Sequence, residues 1–382
     1  MVFYNQIIWQ RMKIAVLSPF NPYRGGIAQF GGELVAELRK NSEVMACNYS
    51  MLYPSLLFPG STQYVSDEEV DVKLNQVRLL NSMNPFSYLV TAKAINEFQP
   101  AVFVSCYWMS FFAPALGLVA KSVSKEVQKV GLIHNLIPHE PKFYDKSLTK
   151  FYLNQHDSFV VLSEEVKEDV ISLKPEAEVE VLFHPVYTQF GSLPEKEMTL
   201  SKLGAPKNKK MLLFFGLIRA YKGLDQLLKA MVYLSDEYHL MIVGECYGDF
   251  DEYTDLIKVH NLESRISIVN RFIPEKEVAD YFAVADLCVL PYKSATQSGV
   301  TAVAHNFGVP VLATNIGGLN ESILHMQNGI LVEKENPKAI ADGINLYFNK
   351  SLKLPFREVI MNTNNQKTWE VFTAKFQSFC KR

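Results

Sequence analysis

Two cations stand three residues apart in the segment Gly216–Gly223, which directly follows the apolar run Met211–Phe215. The guanidinium of Arg219 is a planar fork of N–H donors and the ammonium of Lys222 is a compact charge, and together they suit a diphosphate. A helical pattern follows, although the beginning of a helix normally favours acidic side chains. A bound anion accounts for this departure, with a solvated surface as the alternative. We therefore predict a phosphate site at Arg219 and Lys222.

A second anion site is predicted where Ser298, Gly299 and Val300 begin a helix after another apolar run. Backbone N–H groups at a helix N-terminus are suited to phosphate oxygens. Gly25 and Gly26 occupy the equivalent place after the first apolar run of the chain. Small residues there let the backbone approach a ligand, but a plain tight turn accounts for them equally well.

The segment His134–Glu140 places two imidazoles, an amide and a carboxylate at the end of a third apolar run. Its polar members His134, Asn135, His139 and Glu140 are candidate ligand contacts, with a solvated polar loop as the alternative. A metal site is disfavoured because a proline inside the segment interrupts any helical face that would align the ligands.

The bulk composition argues against several classes of protein. Lys and Arg total 38 and Asp and Glu total 40, so the net charge is 38 − 40 = −2, without the basic footprint of a nucleic-acid binder. The five cysteines have no CxxC spacing, which argues against zinc sites and disulfides and favours a reducing, cytoplasmic compartment. No apolar run is long enough to span a bilayer. We interpret residues 1–12 as an extension before the first strand, with a peripheral membrane anchor as the alternative.

Strand-like and helix-like segments alternate along the chain in two blocks. The apolar runs lie at 13–18, 101–106, 130–134, 159–162 and 178–183 in the first block, and at 211–215, 240–243, 266–269, 287–290 and 309–313 in the second. Continuous apolar runs are typical of parallel strands that are buried on both faces. We predict an α/β fold of two doubly wound Rossmann-like domains that face a shared cleft, because such sheets bind ligands at the carboxyl ends of their strands.

In combination, these segments resemble the group-1 family of retaining glycosyltransferases of the GT-B fold, in particular a subgroup with an ATQSG segment. The motifs are the Gly-Gly loop, HNxxPHE at 134–140, GxxRxxKG at 216–223, PYxxATQSG at 291–299, GVPV at 308–311 and GGLNE at 317–321. The resemblance implies an acceptor-side domain at 1–188, a nucleotide-sugar-binding domain at 189–360 and a terminal helix at 361–382 that crosses back to the first domain.

The resemblance also implies a role for each matching residue. Arg219 and Lys222 would neutralise the donor diphosphate and His134 would lie beside the transferred sugar, so these three are the predicted catalytic residues. The predicted donor-binding residues are Gly25, Gly26, Gly216, Glu245, Arg271, Phe272, Ile273, Gln297, Ser298, Gly299 and Val300. The predicted acceptor-side residues are Asn135, His139 and Glu140.

One departure from the family concerns two glutamates that many relatives carry near the helix start, where this chain has Ala295 and Val303. In those relatives one carboxylate touches the donor sugar and the other touches the ribose. Gln297 is a candidate polar substitute. The departure leaves a second function open, that of a non-catalytic partner protein that binds a nucleotide sugar.

The resemblance implies transfer of a hexose from a nucleotide-diphosphate donor, UDP- or GDP-linked, to a saccharide or lipid-linked acceptor in bacterial surface polysaccharide or glycoconjugate synthesis. Retention of configuration and independence from metal ions and other cofactors are expected as well. Donor and acceptor are the expected partners, without nucleic acid. The expected location is the cytoplasm or the inner face of the membrane. A sugar-nucleotide epimerase of the same fold is an alternative that the HNxxPHE and GxxRxxKG segments do not support.

Overall fold

The computed structural model describes residues 11–54, 58, 62–65, 74–138, 142–187, 189–349 and 354–381. Within these residues the chain forms two parallel sheets, and helices pack on both faces of each. No helix in this part of the chain combines the length and the apolar character that crossing a bilayer requires.

The first sheet has seven parallel strands in the order β3-β2-β1-β4-β5-β6-β7. The strands are β1 (Lys13–Leu17), β2 (Glu43–Met51), β3 (Gln76–Asn81), β4 (Val102–Tyr107), β5 (Gln128–Ile133), β6 (Ser158–Val161) and β7 (Glu178–Val181). The helices are α1 (Gly26–Leu38), α2 (Pro85–Phe98), α3 (Ala113–Ser122), α4 (Asp145–Leu153) and α5 (Glu164–Leu173). Strand β4 is buried at every residue, as its continuous apolar pattern predicts for a central parallel strand.

The second sheet has six parallel strands in the order β10-β9-β8-β11-β12-β13. The strands are β8 (Lys210–Phe215), β9 (Tyr238–Val243), β10 (Ile266–Val269), β11 (Leu287–Leu290), β12 (Val311–Thr314) and β13 (Gly329–Val332). The helices are α6 (Lys196–Lys202), α7 (Leu224–Met231), α8 (Asp251–Val259), α9 (Glu275–Val284), α10 (Gly299–Asn306), α11 (Leu319–Ser322) and α12 (Pro337–Tyr347). In both sheets the strand order reverses beside the first strand of the block, which is where doubly wound sheets bind ligands.

Two further helices follow the second sheet, α13 (Phe356–Asn364) and α14 (Trp369–Phe379). Helix α13 packs on α10 in the second domain, whereas α14 packs on α1 in the first. The ring of Trp369 lies 4.8 Å from that of Phe30, and both belong to the core under the first sheet. The two crossings between the domains lie side by side, because the backbone N–H of Val186 donates to the carbonyl of Lys367 at 3.0 Å.

The predicted α/β architecture of two doubly wound parallel sheets is confirmed. All ten predicted apolar runs overlap strands, with ends that differ by no more than a few residues. Strands β2, β3 and β13 were not predicted. Two of them, β3 and β13, lie at the edges of their sheets, where one side of the strand is unpaired.

Candidate functional site

A cavity of about 1180 Å³ lies between the two sheets. Its walls come from loops that follow the carboxyl ends of the strands, such as Ser82 after β3, Trp108 after β4, Gly216 after β8, Glu245 after β9 and Tyr292 after β11. The topology therefore brings segments that are more than a hundred residues apart in the sequence to one site, as expected for facing α/β sheets.

Two uncompensated cations define one end of the cavity. Arg219 and Lys222 both line it, and neither forms an ion pair with any residue that the structure describes. Lys222 is only 8 % exposed, and its ammonium faces the ring of Tyr292 at 5.5 Å. Burial lowers the pKa of Lys222 to about 8, and the positive charge of Arg219 contributes to this shift. An anion bound here would offset both effects.

A close backbone contact holds the loop that carries Lys222 against Pro291, the residue that follows β11. Gly223 has a φ of +69°, and a Cβ atom there would lie 2.0 Å from the carbonyl oxygen of Pro291. Only glycine fits this combination of positive φ and close approach. The contact fixes Lys222 at the cavity wall immediately before α7 begins.

The beginning of α10 faces the same end of the cavity. Ser298, Gly299 and Val300 line the cavity wall. No side chain caps the helix, and its first turn contains no acidic residue. Free N–H groups with the positive end of the helix dipole add to the field of the two cations. This end of the cavity is therefore suited to a group with two or more negative charges.

The other end of the second-domain wall combines an aromatic ring, an aliphatic side chain and a carboxylate: Phe272, Ile273 and Glu245 all line the cavity. Across the cleft, Arg24 donates to Glu245 at 2.5 Å, and their side chains are only 5 % and 11 % exposed. The guanidinium of Arg24 also lies 4.7 Å from the centre of the Phe272 ring. This contact joins the loop before α1 to the second domain, so the cleft is closed here.

Arg24 was not predicted as a site residue, although it directly precedes the predicted Gly25 and Gly26. All three line the cavity. The available signal was its position in the turn NPYRGG, but its partner Glu245 is 221 residues away, which no local pattern reveals.

His134 does not line the cavity. Its side chain is 2 % exposed, and its ring packs edge-on against Phe30 at 4.7 Å. Burial lowers the pKa of His134 to about 3, and His184 contributes, so the imidazole is neutral at physiological pH. Direct contact with a ligand in the cavity requires a movement of this wall.

Gln297 helps to cover His134, since its side-chain amide donates to the His134 carbonyl at 2.7 Å. Beside it, Thr296 donates to the side chain of Asn135 at 3.3 Å. Of these residues only Asn135 lines the cavity. His134 Nε2 and Gln297 Oε1 are both buried without a hydrogen-bond partner among the described residues. Buried polar atoms normally have such a partner, so the hydrogen bonding of these two side chains is incomplete.

The remaining predicted residues have different positions. Arg271 does not line the cavity and pairs with Glu277. Val303 lines the cavity, whereas Ala295 is buried and does not line it. Gly216 lines the cavity beside Lys222. The predicted acceptor-side residues His139 and Glu140 lie outside the described residues.

The first-domain half of the cavity is mainly apolar and aromatic. Its lining includes Leu52, Tyr53, Phe58, Met83, Tyr88, Trp108, Met109, Phe111, Pro114, Tyr144 and Leu148. This half has fewer polar than apolar lining residues. One of the polar residues, Asp145, already accepts hydrogen bonds from the Ser110 hydroxyl and the Lys142 backbone N–H. The two halves of the cavity thus differ in chemistry, because the second-domain half has Arg219 and Lys222 beside the start of α10, whereas aromatic and aliphatic side chains dominate the first-domain half.

A second set of contacts joins the two domains outside the cavity lining. The carboxylate of Glu321 accepts hydrogen bonds from the backbone N–H groups of Glu164 and Glu165, at the beginning of α5, at 2.9 and 3.3 Å. In return, the carboxylate of Glu165 accepts from the backbone N–H of Gly318 at 3.0 Å. A Cβ atom on Gly318 would lie 1.9 Å from the carbonyl oxygen of Thr296, so the contact depends on glycine.

Comparison with known protein families adds to this geometry. Residues 209–349 match the family model for glycosyl transferases group 1. An uncharacterized glycosyltransferase of Methanocaldococcus jannaschii, MJ1607, is 28% identical over 231 residues, which are 58% of this chain and 58% of that protein. A second one from the same organism, MJ1178, is 24% identical over 94% of this chain and 95% of its own length. These matches support the group-1 glycosyltransferase family.

The chain thus spans little more than half the length of the first of these relatives. Two solved structures are matched over almost all of their length. Sucrose-phosphate synthase from Thermosynechococcus elongatus has a TM-score of 0.74 at 18% identity, covering 97% of this chain and 98% of the other. Anabaena Alr3699/HepE, solved in complex with UDP and glucose, has a TM-score of 0.73 at 15% identity, covering 96% and 99%. These similarities confirm the GT-B fold.

Proposed function

We propose that this protein is a retaining glycosyltransferase that moves a hexose from a nucleotide-diphosphate donor to a saccharide or lipid-linked acceptor. The observation that carries the proposal is the pair Arg219 and Lys222, two cavity cations without a carboxylate partner among the described residues, beside the uncapped start of α10. A diphosphate supplies the negative charge that this arrangement lacks. The match of the second domain to group-1 glycosyl transferases supports the same assignment.

The chemistry follows from where charge develops. The bond between the sugar C1 and the diphosphate oxygen breaks, and the diphosphate gains negative charge that Arg219, Lys222 and the α10 N-terminus stabilise. The acceptor hydroxyl oxygen forms the new bond to C1 and passes its proton to the departing phosphate oxygen. Attack on the face that the phosphate leaves gives retention. Protein cations perform the charge stabilisation, so we propose that no metal ion or other cofactor is needed.

The cavity walls suggest how the donor lies. Phe272 and Ile273 would border the base and Glu245 the ribose, with UDP or GDP as the nucleotide. The apolar half of the cavity would then hold the acceptor. The family resemblance favours a role in bacterial surface polysaccharide or glycoconjugate synthesis, in the cytoplasm or at the inner face of the membrane.

A thermal-shift screen against UDP, GDP, ADP, CMP and dTDP tests the donor site. A nucleotide at about a hundred times its dissociation constant adds about 2.7 kcal/mol to the free energy of unfolding. We expect Arg219→Ala and Lys222→Ala each to weaken binding by about 1.5–3 kcal/mol, the range for charge-assisted hydrogen bonds. Lys258→Ala, at an exposed position near the end of α8, is the matched control and should bind normally. Unchanged affinity in both test variants would exclude the diphosphate assignment.

The non-catalytic alternative rests on one observation, the apolar residues Ala295 and Val303 in place of the glutamate pair. It predicts a thermal shift with a nucleotide but no release of nucleotide from any nucleotide sugar, with or without acceptors. Transfer to an acceptor excludes it. The anomeric configuration of the product, read by NMR, then tests retention, and the rate in the presence of a chelator tests metal independence.

A further inference from the structure

Exposed apolar side chains cluster beside the apolar half of the cavity. Phe86, Leu89 and Val90 on α2 are 80 %, 60 % and 53 % exposed. Their spacing places them on one face of the helix, opposite the buried Tyr88, Thr91, Ala92 and Ile95. Isolated exposed apolar residues are ordinary, but a contiguous set marks an interaction surface.

The cluster continues around the mouth of the cavity. Met83, one turn before Phe86, is 55 % exposed and lines the cavity. On the other side of the mouth, Phe143 is 96 % exposed and the next residue, Tyr144, both lines the cavity and is 39 % exposed. Helix α3 connects the two sides, since it packs against both α2 and α4. We call the six residues Met83, Phe86, Leu89, Val90, Phe143 and Tyr144 the apolar rim.

The segments that carry the apolar rim, and the helix α3 between them, contain more lysines than acidic residues. The three segments 83–98, 113–122 and 142–153 contain five lysines, all exposed, and two acidic residues. One of these acids, Asp145, is buried and hydrogen-bonded, which leaves Glu97 as the exposed carboxylate, weakly paired with Lys93. These segments therefore combine exposed apolar side chains with a net positive charge, although the whole chain has a net charge of −2.

We propose that the apolar rim docks on a lipid bilayer with anionic headgroups. Apolar side chains that project between lipid headgroups, with lysines at the phosphate level, form the two-component attachment that holds peripheral proteins on membranes. A rim on a bilayer opens the apolar half of the cavity toward the lipid, so the acceptor reaches it from the membrane. The inference rests on the proposed function in one respect, that the apolar half of the cavity receives the acceptor.

Sedimentation with lipid vesicles tests the proposal on the full chain. Vesicles of phosphatidylcholine alone are compared with vesicles of phosphatidylcholine and phosphatidylglycerol in equal parts. We expect binding to the anionic vesicles that weakens when NaCl rises from about 0.1 M to about 1 M, because the Debye length falls from about 10 Å to about 3 Å. The triple variant Phe86→Ser/Leu89→Ser/Phe143→Ser should bind about tenfold less or weaker still.

Two further variants separate the apolar and electrostatic contributions. Lys93→Glu/Lys146→Glu, at exposed positions outside the cavity lining, should reduce binding to anionic vesicles by about tenfold or more. The matched control is Tyr233→Ser/Val259→Ser, which removes two exposed apolar side chains from the second domain, 57 % and 73 % exposed. It should bind vesicles like the unaltered protein.

Several outcomes would overturn the proposal. These are no binding to either vesicle, rim variants that bind normally, or a control variant that loses binding equally. A dimer on size-exclusion chromatography that the triple variant converts to monomer, without vesicle binding, would assign the rim to a second copy of the chain. The nucleotide thermal shift is measured in parallel. If the triple variant loses vesicle binding but keeps the nucleotide thermal shift, the apolar rim and the donor site are separate. Vesicle binding without any nucleotide thermal shift contradicts the proposed function alone.

Discussion

The ammonium of Lys222 is buried and lies near the positive charge of Arg219. Burial, together with this charge, lowers its pKa to about 8. A diphosphate that binds there favours the protonated form and raises this pKa. Protonated Lys222 is the binding form, so donor affinity should be constant below about pH 8. Above that value affinity should fall by up to about tenfold per pH unit, because binding then requires the uptake of a proton.

Isothermal titration with UDP or GDP between pH 7 and 9.5 measures this dependence, since the nucleotide phosphates are already ionised over that range. Lys222→Arg is the informative variant because a guanidinium stays charged throughout. We expect it to bind with an affinity that no longer changes with pH. A pH profile that is identical in the two proteins would show that Lys222 does not contact the ligand.

Sequence reasoning predicted the residues whose chemistry is local and missed those whose partners are distant. Arg219, Lys222 and the start of α10 were predicted, because a strand end, a charge pattern and a helix start lie within a few residues. The contact between Arg24 and Glu245 was not, since it joins two domains. His134 was predicted beside the sugar, but burial against Phe30 is decided by packing that spacing does not show.

At the scale of elements, α5 and the segment that begins α11 are joined by reciprocal hydrogen bonds, in which a carboxylate of each accepts from backbone N–H groups of the other. Ser163 caps α5 from within the first domain. Glu321 of the second domain acts as an additional capping side chain for the same helix. We expect Glu321→Ala to lower the free energy of unfolding by about 1–2 kcal/mol, the upper range for the loss of a cap. Chemical denaturation of the ligand-free protein measures the change.

The control for this variant is Glu168→Ala, which removes an exposed carboxylate from the same helix α5 but touches no residue of the second domain among the contacts described. It should leave stability within about 0.5 kcal/mol of the original. Equal effects of the two substitutions would mean that Glu321 contributes nothing specific to the interface.

The elements themselves were predictable to different degrees. Central strands such as β1, β4 and β8 are continuous apolar runs, because helices cover both faces of the sheet. Strand β3 reads QVRLLN and has a single buried residue, Leu80, so its short sequence resembles a loop as much as a strand. The way in which α14 returns to the first domain depends on a groove beside α1 that exists only after the sheet has formed.

At the scale of the whole molecule, burial favours the neutral form of several histidines. Burial lowers the pKa of His134 to about 3 and those of His156, His184 and His305 to about 4. Each titrates near 6.5 in the unfolded chain, so unfolding takes up protons below that pH. The free energy of unfolding should therefore fall as the pH drops from about 6.5 to 4, by as much as about 1.4 kcal/mol per pH unit for each histidine.

Urea denaturation at a series of pH values measures this slope. His156→Gln should make it shallower by about one proton, because the amide can still reach Ser105 or the Tyr152 carbonyl but does not titrate. A slope that His156→Gln does not alter would show that the folded protein protonates this site.

The position of α14 has a consequence for how the protein is made. Trp369, Phe372 and Phe376 fill part of the core beneath the first sheet, next to α1. A ribosome synthesises this helix only after the entire second domain, so the nascent first domain waits with an open hydrophobic groove while the second completes its own core. The first domain is thus synthesised first but completes its core last. Until α14 has been made, its exposed apolar groove depends on chaperones for protection from aggregation.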